Sequence, residues 1–199
     1  MIRSVTVYCS SSSAVDQAYV DAAIELGRAI ALNNWTLVYG GNSVGLMAHL
    51  ADSVRASHGK VIGVTPQLFI DKGVHDQLCD EFVVTECMRT RKAQMEARGD
   101  AYVAMPGGLG TFEEIFEIIV GKQLGIHNKP TVLLNVSDYY RPMLEQLERG
   151  IEQKFIKPAA RKLFFVADDV AAAIEHIRTY VPEKPGDKWF EKQVLQQSK

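Results

Sequence analysis

The chain is poor in cysteine, in tryptophan and in long apolar runs. Three of its 199 residues are cysteine, Cys9, Cys79 and Cys87, and no two of them form a CxxC pair. Any disulfide scheme leaves one thiol over, so the composition points to a reduced, cytoplasmic protein. No uninterrupted apolar stretch approaches the roughly 18 residues that a membrane helix needs, so no membrane partner is expected. The opening residues 2–8 alternate like a strand and lack the apolar heart of a signal peptide. An excess of one charge is missing too. Lys and Arg number 22 against 24 Asp and Glu, a net charge of -2, which gives no general attraction for polyanions and makes nucleic acid an unexpected partner.

Several motifs are also missing. The histidines at 49, 58, 75, 127 and 176 show neither HxxEH nor HxH spacing, so no metal and no other cofactor is expected. A Walker A loop is absent because no GKS or GKT occurs, and no GxSxG elbow supports a serine esterase. What remains, 47% apolar and 23% charged residues, is ordinary globular composition. A chain of this length buries roughly 70% of its unfolded surface and needs no staples.

Strand and helix patterns alternate along the chain. Residues 2–9 read as a strand, and Val15, Tyr19, Ala22, Leu26 and Ile30 mark one face of a helix. Residues 35–39 read as a buried strand stopped by Gly40-Gly41-Asn42, with a helix over 45–57. Residues 60–65 form the next strand, ended by Pro66, and 67–80 are less regular. Then come a strand over 81–85, a helix over 88–98 and a strand over 101–105. Thr111 opens a helix whose buried face is Phe112, Ile115, Phe116 and Ile119. Strands over 130–135 and 163–167 alternate with helices over 140–151 and 170–177. Near-continuous apolar strands between amphipathic helices predict one α/β domain over 1–181, a Rossmann-like, doubly wound parallel sheet with helices on both faces. Residues 182–199 read as a polar tail. Ligands of such sheets sit at the carboxyl ends of the strands, where the loops after Cys9, Tyr39 and Met105 fall.

The strongest local signal is Met105-Pro106-Gly107-Gly108-Leu109-Gly110-Thr111-Phe112-Glu113-Glu114. Its glycines let the chain turn sharply and approach a ligand with no Cβ in the way. The loop feeds a helix N-terminus, which suits the phosphate of a mononucleotide. Thr111 with Glu114 also reads as a capping box, which needs no ligand. A second loop, Gly40-Gly41-Asn42-Ser43-Val44-Gly45, departs from the dinucleotide fingerprint at Asn42, so NAD is disfavoured. That loop also reads as a plain strand-to-helix turn. Third, Met88-Arg89-Thr90-Arg91-Lys92-Ala93-Gln94-Met95 places three cations at a helix start, against the dipole preference. A bound phosphate or a carboxylate such as Glu114 would offset that cost, and a solvated basic face is the plainer account. Ser10 could line the end of the first strand.

On these residues the sequence resembles the LONELY GUY family of cytokinin-activating phosphoribohydrolases, over about residues 4–180. Pro106 to Glu114 matches the family's PGGxGTxxE motif, and Met88 to Met95 reads like MHxRKAxM. Tyr39 to Met47 resembles YGGGxVGLM, and Leu134-Asn135 with Tyr139-Tyr140 is also similar. The resemblance implies hydrolysis of an N6-substituted adenosine 5'-monophosphate to free base and ribose 5-phosphate. It implies a homodimer, or a higher assembly of dimers, with the site near the dimer interface. By motif position Arg91 and Glu114 are the catalytic pair. Ser10, Gly40, Gly41, Gly45, Met88, Lys92, Pro106, Gly107, Gly108, Leu109, Gly110, Thr111 and Glu113 are candidate substrate contacts. Ser10 and Asn42 stand where relatives carry glycine, and Arg89 replaces a histidine or neutral residue. Gly73 replaces an acidic residue and Val120 a threonine. These departures bear on substrate preference more than on the reaction.

The chemistry stands apart from the resemblance. Cleaving an N-glycosidic bond passes through a cationic sugar, which a fixed carboxylate stabilises, or for which it orients the attacking water. Arg91 could hold the phosphate, or hold Glu114 ionised and aimed. A noncatalytic nucleotide-binding or carrier module would need the glycine loops but not the Arg91–Glu114 pair.

Overall fold

The computed structural model describes residues 1–182. Most of the polar tail read from the sequence, including Trp189 and Phe190, lies outside the described residues. Strand and helix alternate as β1 (Ser4–Tyr8), α1 (Gln17–Leu32), β2 (Thr36–Tyr39), α2 (Gly45–Ala56), β3 (Val61–Pro66) and α3 (Gln67–Asp71). They continue as β4 (Glu81–Thr85), α4 (Met88–Arg98), β5 (Ala101–Ala104), α5 (Leu109–Gln123) and β6 (Thr131–Leu134). The described chain ends with α6 (Arg141–Glu152), β7 (Phe165–Ala167) and α7 (Val170–Thr179).

All seven strands pair in parallel in the order β4-β3-β2-β1-β5-β6-β7. Val5, Val7, Leu37, Val103 and Leu134 point to one face, where α1, α2 and α7 cover them with Leu26, Ile30, Leu50, Val54 and Ile177. Tyr8, Val38, Val64, Tyr102 and Leu133 point to the other, under Met95 of α4 and Ile115 and Ile118 of α5. Both faces of the inner strands are therefore apolar, which is why these strands read as continuous hydrophobic runs. The chain winds outward from β1 to β4, and α4 carries it back to β5, which pairs with β1 on its other side. The strand order reverses between β1 and β5, and at that point the loops leaving their carboxyl ends diverge into a crevice.

Most elements shift by a residue or two at their ends from the sequence pattern, and three boundaries matter for packing or the site. Helix α5 starts at Leu109 with Gly108 as its N-cap, so Thr111 lies inside the first turn and is not the cap. Pro66 belongs to β3 and pairs with Thr85, because a proline at the last strand position forfeits only a terminal donor. Leu163 follows a 3-10 turn over Pro158–Lys162 and fills the core from outside the sheet. The expected buried face of α5 is also rotated. Ile115 and Ile119 are buried as expected, whereas Phe112 and Phe116 are half-buried and Ile118 takes their place. No helix among the described residues is long and apolar enough to cross a membrane.

Leu26 is fully buried in the middle of α1, whereas Leu32 at its end is exposed. Leu26→Ala is expected to cost about 2–5 kcal/mol by urea denaturation, through lost transfer energy and the cavity left behind. Leu32→Ala is expected to change stability by no more than about 0.5 kcal/mol. Equal costs at the two positions would contradict the packing described.

Candidate active site

Each functional side chain is set by an element end at the carboxyl edge of the sheet. Arg91 lies on α4 and Glu114 on α5, and the two helices lie against the same face of the sheet. Arg91 Nη1 donates to Glu114 Oε1 at 2.5 Å, and Arg91 Nε donates to the Val64 carbonyl of β3 at 3.0 Å. Both residues are buried, at 3% and 6% exposure. Glu114 thus spends one oxygen on Arg91, and its Oε2 has no protein partner among the described residues. Burial lifts the Glu114 carboxyl above the usual carboxylate range, and the Arg91 charge and hydrogen bond pull it only part of the way back. The capping-box reading of Thr111 and Glu114 is therefore corrected: Glu114 faces Arg91, and α5 has no side-chain cap.

The three cations at the start of α4 divide in the same way. Lys92, about 100° around the helix from Arg91, reaches Glu113 at 2.6 Å and Glu117 at 2.7 Å on the outer side of α5. Arg89 is exposed and makes no ion pair among the described residues. The carboxylates of α5 offset two of the three charges, so the basic run is not simply a solvated face.

The glycine loop after β5 is built differently from its sequence reading. None of Gly107, Gly108 and Gly110 has a positive φ. A Cβ at Gly108 or Gly110 would meet nothing within 4 Å, so the open space lies in front of the main chain. Because α5 has no side-chain cap, the amides of its first turn are left to that space. Ser10, Val15, Tyr19, Leu46, Pro106, Gly107, Gly108 and Tyr139 enclose a hollow of about 200 Å³ beside it. Of the candidate residues only Ser10, Pro106, Gly107 and Gly108 line this hollow; Arg91, Glu114, Gly40, Gly41, Gly45, Met88, Lys92, Leu109, Gly110, Thr111 and Glu113 do not. Leu109 is largely exposed and Met88 half-buried.

The loop after β2 needs its glycines for two separate reasons. At Gly40 a Cβ would lie 2.2 Å from Arg91 Nη2, so the side-chain-free backbone makes room for the guanidinium. Gly45, at φ +60°, opens α2 where a Cβ would strike the main chain of Ser11 in the loop after β1. The segment after α3, irregular in the sequence, straps this loop in place. Asp76 N–H donates to the Gly41 carbonyl at 2.8 Å, and Ser43 N–H donates to the Val74 carbonyl at 2.9 Å. The buried Asp76 carboxylate accepts from Tyr39 Oη at 2.5 Å and Arg55 Nη1 at 2.7 Å. Burial alone would raise Asp76, but Tyr39, the Leu78 amide and Arg55 together hold it below the usual carboxylate value. Sequence reasoning missed Asp76, because its partners lie 21 and 37 residues away and no local pattern marks it.

With this geometry in place, the family described as "possible lysine decarboxylase" matches residues 47–177. A probable cytokinin riboside 5'-monophosphate phosphoribohydrolase of Oryza sativa subsp. japonica, LOGL2, is 41% identical over 91% of this chain and 74% of its own. The chain belongs to the LONELY GUY family. The cytokinin riboside 5'-monophosphate phosphoribohydrolase of Rhodococcoides fascians is a LONELY GUY relative 45% identical over 89% of this chain and 90% of its own. Among solved structures, the molybdenum cofactor carrier protein of Chlamydomonas reinhardtii is 26% identical with a TM-score of 0.67, over 89% and 97% of the two chains. A molybdenum cofactor binding protein from Rippkaea orientalis shares the fold, at 22% identity and a TM-score of 0.67, over 89% of this chain and 97% of that one.

Gly40→Ala is expected to push Arg91 away from Glu114, visible in a crystal structure of the variant. It is expected to lower stability by about 1–3 kcal/mol in denaturant. An unmoved guanidinium would refute the tight approach.

Proposed function

We propose that this chain hydrolyses the N-glycosidic bond of N6-substituted adenosine 5'-monophosphates, giving free base and ribose 5-phosphate. The observation that carries this reading is the buried Arg91–Glu114 pair, with one carboxylate oxygen held and the other free, beside an uncapped glycine-rich helix start. The family's 36–45% identical relatives bear the corresponding names, which supports the same substrate class.

In the proposed reaction the 5'-phosphate rests against the amides at the start of α5, where the helix dipole and free N–H groups favour an anion. Ser10 and the hollow beside Gly107 and Gly108 receive the same end of the substrate. Holding that nonreacting group positions the sugar. The C1'–N9 bond breaks with its electron pair leaving on the base, and the sugar becomes cationic. Glu114 stabilises that charge through its free oxygen or aims the attacking water. Water oxygen bonds to C1', and the proton balance is closed by protonation of the departing base. Arg91 gives Nη1 to Glu114 and Nε to the Val64 carbonyl, which favours its role as the group that orients and ionises Glu114.

The second reading, a noncatalytic carrier, is favoured by the likeness to the algal molybdenum cofactor carrier. It gives no task to a buried carboxylate clamped by arginine. We also infer a homodimer. Phe116, Ile119 and Val120 of α5 and Leu144, Leu147 and Ile151 of α6 line an apolar groove of about 690 Å³. The helix that carries Glu114 thus also forms one wall of an uncovered apolar face, as a site near a subunit boundary requires. The cytoplasm remains the proposed compartment.

Glu114→Gln and Arg91→Ala are each expected to abolish release of free base from AMP and its N6-alkyl relatives, assayed by chromatography, with both variants still folded by circular dichroism and Arg91→Ala melting lower, because it leaves Glu114 buried without its partner. Full activity in either variant would remove the pair from the mechanism. The dephosphorylated nucleoside is expected to turn over far more slowly than its monophosphate, and equal rates would remove the phosphate cradle. Because burial raises Glu114 and the reaction needs it ionised, the acid limb of kcat/KM is expected above the ordinary value of about 4.3. Light scattering is expected to show a dimer that Leu147→Asp dissociates, and a wild-type monomer at assay concentration would refute it.

A further inference from the structure

The tandem tyrosines after β6 take no part in the chemistry above, yet both hydroxyls end on the glycine loop. Tyr140 Oη donates to the Met105 carbonyl at 2.7 Å, and Tyr139 Oη donates to the Gly107 carbonyl at 2.5 Å. The two carbonyls differ in what lies across the peptide bond. Met105 precedes Pro106, which has no N–H. Gly107 precedes Gly108, whose N–H has no partner among the described residues. In a trans peptide the C=O and N–H point opposite ways. A hydroxyl held on the Gly107 oxygen therefore fixes the direction of the Gly108 N–H, and by polarising the peptide makes that N–H a stronger donor.

We propose that Tyr139 is a positioning residue that aims the Gly108 amide at the substrate phosphate, while Tyr140 anchors the root of the same loop. This rests on the phosphate reading given above. The tyrosines are themselves held rigidly. Tyr140 N–H donates to Asn135 Oδ1 at 2.7 Å, and Asn135 N–H donates to the Ala167 carbonyl of β7 at 2.7 Å. Ser137 and Asp138 are both left-handed, with φ 52° and 60°, which winds the corner tightly enough to present two successive tyrosines. The Tyr139 ring lies nearly parallel to Phe112 of α5 and edge-on to Tyr19 of α1. Tyr139 is half-buried and also lines the 200 Å³ hollow, whereas Tyr140 is fully buried. One tyrosine therefore borders the space for the ligand and the other does not.

Calorimetric titration of ribose 5-phosphate into the wild-type chain, Tyr139→Phe and Tyr140→Phe, with thermal melts of all three, separates the roles. Phenylalanine keeps both rings and removes only the hydroxyl. Tyr139→Phe is expected to weaken binding roughly tenfold with a melting temperature close to wild type. Tyr140→Phe is expected to melt lower, because it leaves the Met105 carbonyl orphaned, and to bind within about threefold of wild type. Unchanged affinity in Tyr139→Phe, or a Tyr139→Phe melting point lowered as far as that of Tyr140→Phe, would overturn the proposal. Wild-type chain that binds no ribose 5-phosphate would overturn the phosphate reading itself, and the tyrosine's role with it.

Discussion

The site depends on one buried ion pair. Removing a carboxylate and a guanidinium from water costs several kcal/mol per ion, and their attraction offsets this only when the remaining polar atoms are also satisfied. Here Arg91 gives a second hydrogen bond to the Val64 carbonyl, which ties α4 to the end of β3. Glu114 has no such second bond, and its burial raises the carboxyl despite the arginine. The pair is therefore uneven: the cation has a second protein partner, the Val64 carbonyl, and the anion has none among the described residues. A carboxylate held in that state is suited to a positive charge that develops on a substrate.

Keeping the pair in place takes residues far from it. Gly40 must lack a side chain for the guanidinium to fit, so the loop after β2 must keep its course. That loop is held by Asp76, which is itself held by Tyr39 and Arg55. On the opposite side of the crevice Tyr139 and Tyr140 hold the loop after β5. Two glycine loops that look alike in sequence are thus fixed by unrelated devices, a buried carboxylate for one and a pair of phenols for the other. Both devices end in long-range hydrogen bonds to loop carbonyls, from the amide of the anchored Asp76 in one and from the phenol hydroxyls in the other, which set a loop's course without filling the space a ligand needs.

Much of the fold was legible because its signals are local. The bounds of α4, Met88–Arg98, follow from a helical run stopped by Gly99, and those of β4 match the sequence pattern. The start of α5 departs from the sequence pattern because Thr111 and Glu114 carry the spacing of a capping box that the helix, beginning at Leu109, does not use. In the fold Glu114 lies 2.5 Å from a partner 23 residues away, and the charge attraction outweighs the local cap. The rotation of the α5 buried face has a similar origin. Phe112 packs against Tyr139 and Tyr140, whereas Ile118 meets the sheet.

By itself the amino-acid order determined a parallel α/β sheet, the two glycine loops at its carboxyl edge and the residue types available for glycosidic chemistry. Those depend on periodicity, on turn residues and on short motifs, all of which act over a few neighbours. Only the tertiary structure decided that Arg91 belongs to Glu114, that Lys92 turns to Glu113 and Glu117, and that Asp76 and the two tyrosines brace the loops. Each of these pairings joins groups on separate elements that the chain winding brings side by side, and no spacing along the sequence encodes such a distance.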